Sequence, residues 1–254
     1  MRALVTGASG TIGTVLCDVL KAHQWEVYTW NRNNIPVDDY DEMENYLKSI
    51  HPDVLFHLAY TSDPDLSWKV NYEWTSELAW LTKILDIRFL FTSTNLVFKN
   101  SFSPIGLQSL PDAESGYGFV KRKAEERILI QNQDAVIVRL GWQIGTSAGS
   151  NNMVDYFENK MKNDGVIRAS TKWFPACSFL QDTCEKLMEI AKDFPRSTYM
   201  LDSNKRWNMH EIAAGLKRKF DFDWKIQSVE DFDFDSRMID DRVRMASLDE
   251  RIPL

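Results

Sequence analysis

Tyr117 and Lys121 stand four residues apart in GYGFVKRKAEE, which puts them on one face of a helix. An ammonium beside a phenol favours the phenolate and lowers the tyrosine pKa, so the pair can exchange a proton near neutral pH. The spacing alone is common among surface pairs; its context gives it meaning. Upstream, FTSTN ends an apolar run with the hydroxyls of Ser93 and Thr94, either of which can hydrogen-bond a substrate oxygen facing Tyr117. A second constellation opens the chain. VTGASGTIG spaces Gly7, Gly10 and Gly13 three apart, after an apolar run and before a helical one. That arrangement suits a dinucleotide pyrophosphate: one glycine for the tight turn, one for close backbone approach, one for helix–strand packing, and a helix N-terminus for the charge. Ser9, Thr11 and Ile12 belong to the same expected contact loop.

The elements that must carry these residues alternate in type. RALVTG, WEVYTW, DVLFHLA, RFLFTST and DAVIVRLGW read as five strands. Between them, TIGTVLCDVLKAH, VDDYDEMENYLKSIHP, DLSWKVNYEWTSELAWLTKILDI and GYGFVKRKAEERILIQ read as helices. Continuously apolar strands alternating with helices predict an α/β fold: a Rossmann-type, doubly wound parallel sheet, which binds ligands at its carboxyl edge. Past Trp142 the rhythm weakens. MVDYFENKMKN and DTCEKLMEIAKD look helical, STYMLD looks like a strand, and NMHEIAAGLKRKF is a helix that Asn208 can cap. We therefore expect a dinucleotide-binding domain over 1–145 and a smaller C-terminal substrate-binding lobe over 146–254. A segment near 175–201 should return to the first domain.

Composition narrows the function classes. Apolar residues make up 44% of the 254-residue chain and the formal net charge is -7, which argues against a general nucleic-acid binder. No apolar run approaches the roughly 18 residues of a membrane span, and no basic-then-apolar leader opens the sequence. The three cysteines, Cys17, Cys177 and Cys184, lack metal-type spacing and read as reduced thiols, so no metal is expected and a cytoplasmic location is.

The end of the second strand ordinarily reads the adenosine ribose, with an acid for a 2′-hydroxyl or an arginine for a 2′-phosphate. TWNRNN offers Asn31 and Arg32 and no acid, which favours NADP over NAD, although Arg32 also suits a solvated surface. Asp39 suits either the adenine edge or a helix N-terminus. His57 suits a satisfied core position or the cofactor wall. Trp142 suits stacking on a base or core packing. DFDFD and LKRKF read as solvated stretches rather than metal or diphosphate sites.

LVTGASGTIG, HPDVLFHLAYT, FTSTNLVF, YGFVKRKAE and VRLGW together resemble the extended branch of the short-chain dehydrogenase/reductase superfamily. More narrowly, they resemble the dTDP-4-dehydrorhamnose reductase family. The resemblance is strong to about residue 142 and looser beyond, in NNMV, FPACSFLQD, STYMLDSN and RVRMASLD. It implies Thr94, Tyr117 and Lys121 as catalytic residues, with Lys121 also on the nicotinamide ribose. It further implies His57, Ala59, Tyr60 and Asn71 along the cofactor, a nucleotide-sugar substrate and a homodimer. This chain departs from the family where Ser-Thr-Asp-Tyr-Val-Phe becomes Ser93-Thr94-Asn95-Leu96-Val97-Phe98. Asn95 and Trp142 are the expected substrate contacts. The activity implied is NADPH-dependent reduction of a nucleotide-linked 4-keto-6-deoxy sugar. The alternatives are an epimerase or dehydratase with bound NAD, and a non-catalytic cofactor-binding subunit.

Overall fold

Apolar runs of four to seven residues become buried strands, and the amphipathic segments between them become helices. A computed structural model describes residues 1–99 and 104–252. The first part runs β1 (Arg2–Thr6), α1 (Thr11–Ala22), β2 (Glu26–Thr29), α2 (Tyr40–Ile50), β3 (Val54–His57), α3 (Pro64–Trp68), a π-helical turn (Lys69–Glu73), α4 (Trp74–Ile84), β4 (Arg88–Thr94), a 3-10 turn (Asn95–Val97), α5 (Gly116–Gln131) and β5 (Val136–Leu140). It continues with β6 (Trp142–Ile144), α6 (Met153–Asp164), β7 (Ile167–Ser170), β8 (Trp173–Phe174), β9 (Cys177–Phe179), α7 (Leu180–Asp193), β10 (Thr198–Leu201), α8 (Met209–Phe220), β11 (Ile226–Val229), β12 (Phe234–Asp235) and α9 (Leu248–Arg251).

The main sheet has six strands in the order β10-β5-β4-β3-β1-β2. β1 pairs in parallel with β2 on one side and β3 on the other, so Leu4 lies between Tyr28 and Leu55. This is the expected α/β, Rossmann-like sheet. The strand order reverses at β1 and β3, and the crevice beyond their carboxyl ends is where such sheets hold ligands.

The chain divides into two compact units. The first comprises Met1–Phe98, Pro111–Arg139 and Cys184–Tyr199; the second comprises Lys99–Leu110, Leu140–Thr183 and Met200–Leu254. In the first, Leu4, Leu55, Phe89 and Ile137 of the strands pack on Leu47, Trp74, Leu78 and Ile128 of the helices. Each such side chain contributes about 1.5–3 kcal/mol when fully buried. In the second, Ile144, Phe157, Cys177, Trp207, Ile212 and Trp224 form a separate core, and α8 opens with a capping box between Asn208 and Glu211.

Two expected elements are broken. The long helix over 65–87 is α3, a π-helical turn and α4. The wide turn faces Val70 and Asn71 inward, both buried. The expected fifth strand ends at Leu140, and Trp142 begins β6, which pairs with β9 through Trp142 and Cys177. Gly141 permits the break: a Cβ there would lie 2.4 Å from the carbonyl carbon of Ala176.

Candidate active site

The glycine loop fits an anion. Gly7 turns at φ +67°, and a Cβ on it would meet Ala59 N at 2.8 Å, so the chain leaving β1 lies against the chain leaving β3. A Cβ on Gly13 would lie 2.1 Å from the Gly7 carbonyl oxygen, which keeps α1 tight on its loop. On Gly10 it would meet only Gly7 O, at 3.2 Å, so the backbone there is open to a ligand. α1 begins after Gly10 with no side-chain cap and no acidic residue in its first turn. The N–H groups of Thr11, Ile12 and Gly13 therefore keep their positive end for a phosphate. Ser9 is exposed beside them, and Thr11 and Ile12 are half-buried.

His57 lies beneath this crevice, fully buried. Thr6 Oγ1 accepts from Leu58 N and Ala59 N, both at 3.2 Å, which leaves its own proton for His57 Nδ1 at 2.8 Å. Thr75 Oγ1 donates to Asn71 O at 3.0 Å and so accepts from His57 Nε2, at 2.8 Å. The imidazole is thus the neutral Nε2–H tautomer, and burial pushes its pKa down to about 3. Both ring nitrogens are spent, so the imidazole braces Thr6, which in turn holds the backbone of Leu58 and Ala59. Asn71 is also committed: its Oδ1 accepts from Thr61 N at 2.9 Å, and its Nδ2 donates to Thr61 O and Ser67 Oγ. Together these bonds pin the loop carrying Ala59 and Tyr60. Neither Thr6 nor Thr75 was legible as part of this brace, because single threonines carry no spacing signal.

Past β2, Asn31 closes a turn by accepting from Asn33 N at 2.9 Å. Arg32 is exposed and, among the described residues, pairs with no carboxylate. Asp39 caps α2, accepting from Glu42 N at 3.0 Å.

Lys121 is buried on α5, and its Nζ donates to Thr92 O at 2.9 Å. The same nitrogen stands 4.4 Å from the Phe91 ring centroid and 6.0 Å from that of Tyr60. Burial lowers its pKa to about 7, with Glu125 opposing the shift. Glu125 holds α5 to β5 through a buried bidentate pair with Arg139, at 3.0 and 2.7 Å. Tyr117 packs edge-to-face on Tyr60 at 4.8 Å. The expected lowering of its pKa is not what the geometry gives. Although 37% of the residue is exposed, the surrounding protein desolvates the phenol, and this together with Tyr60 pushes its pKa up. Lys121 is engaged with Thr92 and supplies no offset.

Thr94 ends β4 as the cap of the 3-10 turn: its Oγ1 accepts from Leu96 N at 3.2 Å and donates to Asn95 Oδ1 at 3.4 Å. Asn95 is buried while Leu96 is exposed. Ser93 Oγ is buried without a hydrogen-bond partner among the described residues, an orphan that a ligand oxygen could satisfy. Gly118 brings α5 onto this turn: a Cβ on it would lie 1.8 Å from Leu96 O. It went unread in the sequence, yet a glycine inside a helical pattern costs about 1 kcal/mol against alanine and so signals a close approach. Trp142 belongs to the second unit, where it packs on Tyr156 and Trp173.

The glycine cradle, the pinned loop after β3 and the Tyr117–Lys121 helix all belong to the first unit. The family model of the RmlD substrate binding domain matches residues 1–237. The chain belongs to this family. Among curated relatives, it is 22% identical over 90% of its length to the spore coat polysaccharide biosynthesis protein SpsK of Bacillus subtilis, covering 82% of that protein. It is 21% identical over 86% of its length to methionine adenosyltransferase 2 subunit beta of Xenopus laevis, covering 72% of that chain. Among solved structures, dTDP-4-dehydrorhamnose reductase from Bacillus anthracis, in complex with NADP, superposes with a TM-score of 0.85 at 17% identity, covering 97% of this chain and 95% of that one. These likenesses bear out the superfamily resemblance and the fold of this RmlD-family chain. Among the described residues, no helix is long and apolar enough to cross a membrane.

Proposed function

We propose that this RmlD-family chain is an NADPH-dependent reductase of a nucleotide-linked 4-keto-6-deoxy sugar. The observation that carries the reading is the meeting of the Tyr117–Lys121 face of α5 with the hydroxyl-bearing end of β4, enforced by Gly118 on Leu96 O. The uncapped start of α1 and the unpaired Arg32 support NADP, as does the NADP complex of the Bacillus anthracis relative.

When bound, the nicotinamide supplies a hydride to the carbonyl carbon. Tyr117 gives its phenolic proton to the carbonyl oxygen, so that C=O becomes CH–OH, and the phenolate recovers its proton from solvent. A phenol kept protonated by burial is the form this step needs. Lys121 would bind the nicotinamide ribose through its buried ammonium. Thr94 orients the carbonyl; its donated bond, at 3.4 Å to Asn95, is long enough to be exchanged for one to substrate. Asn95 and Leu96 replace an acid and a phenol beside that hydroxyl, which supports a sugar other than the usual rhamnose precursor.

The likeness to methionine adenosyltransferase 2 subunit beta favours a second reading, a cofactor-binding subunit. One experiment separates the two. The protein is incubated with NADPH and a panel of 4-keto nucleotide sugars, and nicotinamide absorbance is followed. Loss of absorbance with one sugar supports the reductase. NADPH binding with no turnover on any sugar supports the subunit.

A further inference from the structure

Tyr117 sits where its own helix restrains it least. α5 begins with no side-chain cap, and Tyr117 lies between Gly116, at φ +67°, and Gly118. Gly116, with open space around it, and the uncapped helix start leave the backbone before Tyr117 permissive, whereas Gly118 is held against Leu96 O. The restraint comes from another segment. Tyr60, on the loop after β3, meets the Tyr117 ring at 4.8 Å between centroids and 83° between planes. Lys121 Nζ stands 6.0 Å from the centroid of the same Tyr60 ring. The loop is stiff on both sides of Tyr60: Ala59 N donates to Thr6 Oγ1 at 3.2 Å and Thr61 N donates to Asn71 Oδ1 at 2.9 Å. Asn71 returns a bond to Thr61 O at 2.8 Å, and Thr6 is itself braced by buried His57. Tyr60 is therefore an aromatic ring on a rigid arm, resting on the phenol that its helix leaves loose.

We propose that Tyr60 is a positioning residue, whose ring holds the Tyr117 phenol in the orientation from which it donates its proton. The proposal rests on the reading of Tyr117 as proton donor, and it goes beyond the cofactor contact that family resemblance implies for Tyr60. An edge-to-face contact needs the ring and not its hydroxyl. Phenylalanine should therefore serve in its place and an aliphatic side chain should not.

The test uses the full chain labelled with [13Cζ]tyrosine, without ligand, in wild type, Tyr60→Phe and Tyr60→Leu, with the Tyr117 signal assigned through Tyr117→Phe. Tyr60 is 43% exposed, so both variants should fold, which thermal melts check; should Tyr60→Leu melt early, Tyr60→Met takes its place. In Tyr60→Phe the Tyr117 signal should keep its wild-type position. In Tyr60→Leu it should move toward that of free tyrosine and titrate at lower pH. NADPH affinity should stay within about twofold in Tyr60→Phe, which keeps the ring, and kcat is compared at saturating NADPH in both variants. With a sugar that the wild type reduces, kcat should fall at least tenfold in Tyr60→Leu and less than threefold in Tyr60→Phe. An unmoved Tyr117 signal in Tyr60→Leu would overturn the proposal. So would NADPH binding weakened tenfold with kcat intact, which would make Tyr60 a cofactor contact only. If the wild type reduces no sugar, the substrate reading fails by itself, and the Tyr117 signal still decides the role of Tyr60.

Discussion

Tyr117 and Lys121 are shifted in opposite directions by the same cause. Burial raises the phenol and lowers the ammonium to about 7, so neither side chain favours its charged form. For Tyr117 this suits an acid that donates a proton, and Tyr117→Phe should keep NADPH binding while turnover falls by about 10²–10⁴. Equal turnover in the variant would remove Tyr117 from the chemistry. For Lys121 the shift gives a pH dependence. A cofactor with anionic groups and ribose hydroxyls binds the charged ammonium better. Affinity should then be flat below pH 7 and should weaken as pH rises through 7, because binding above that pH must take up a proton. NADPH titrations from pH 6 to 9 on wild type and Lys121→Met check this; the slope should vanish in the variant. Arg32→Ala should reduce the preference for NADPH over NADH by about ten- to a hundredfold, the range of one charge-assisted phosphate bond, read from paired titrations. Equal affinities in the wild type would contradict it. At this scale the residue types were legible and their environments were not. The i, i+4 spacing gave the Tyr117–Lys121 face, but Lys121 bonds Thr92 O, a backbone atom that no pattern of side chains announces.

α5 works as one element because three of its residues on one face do different jobs: Tyr117 meets Tyr60, Lys121 reaches β4, and Glu125 locks to Arg139 of β5. Gly118 sets how close that helix comes to the turn after β4. In an ordinary helix, glycine to alanine stabilises by up to about 1 kcal/mol. Here the sign should reverse: a Cβ would lie 1.8 Å from Leu96 O, so Gly118→Ala must push α5 away. We expect a destabilisation of about 1–3 kcal/mol, the usual cost of overpacking, with loss of turnover. Denaturant melts of the variant decide it, and unchanged or greater stability would show that the turn yields freely. β4 and α5 were legible to the residue, and β1, β2, β3 and β5 as segments that ran one to four residues longer than the strands observed. The breaks were not, because the π-helical turn at Lys69–Glu73 and the end of β5 at Leu140 answer to partners distant in sequence, Thr61 for Asn71 and Ala176 for Gly141.

At the scale of the whole molecule, the strand order reverses at β1 and β3, and the glycine cradle follows the first while the pinned loop of Ala59 and Tyr60 follows the second. The alternation of strand and helix predicted that sheet. The second unit was less legible: its three two-stranded pairs join segments far apart in sequence, β7 with β11, β8 with β12 and β6 with β9. Hydride delivery to a sugar ketone, with the proton from Tyr117, is the claim on which all else depends. The most direct test is transfer from NADPH deuterated at the reactive C4 position to the 4-keto nucleotide sugar that the wild type turns over, read by mass spectrometry of the product. The account predicts one carbon-bound deuterium in the product of the wild type and almost none formed by Tyr117→Phe over the same time. A wild-type product without deuterium, or an equal yield of labelled product from Tyr117→Phe, would contradict it.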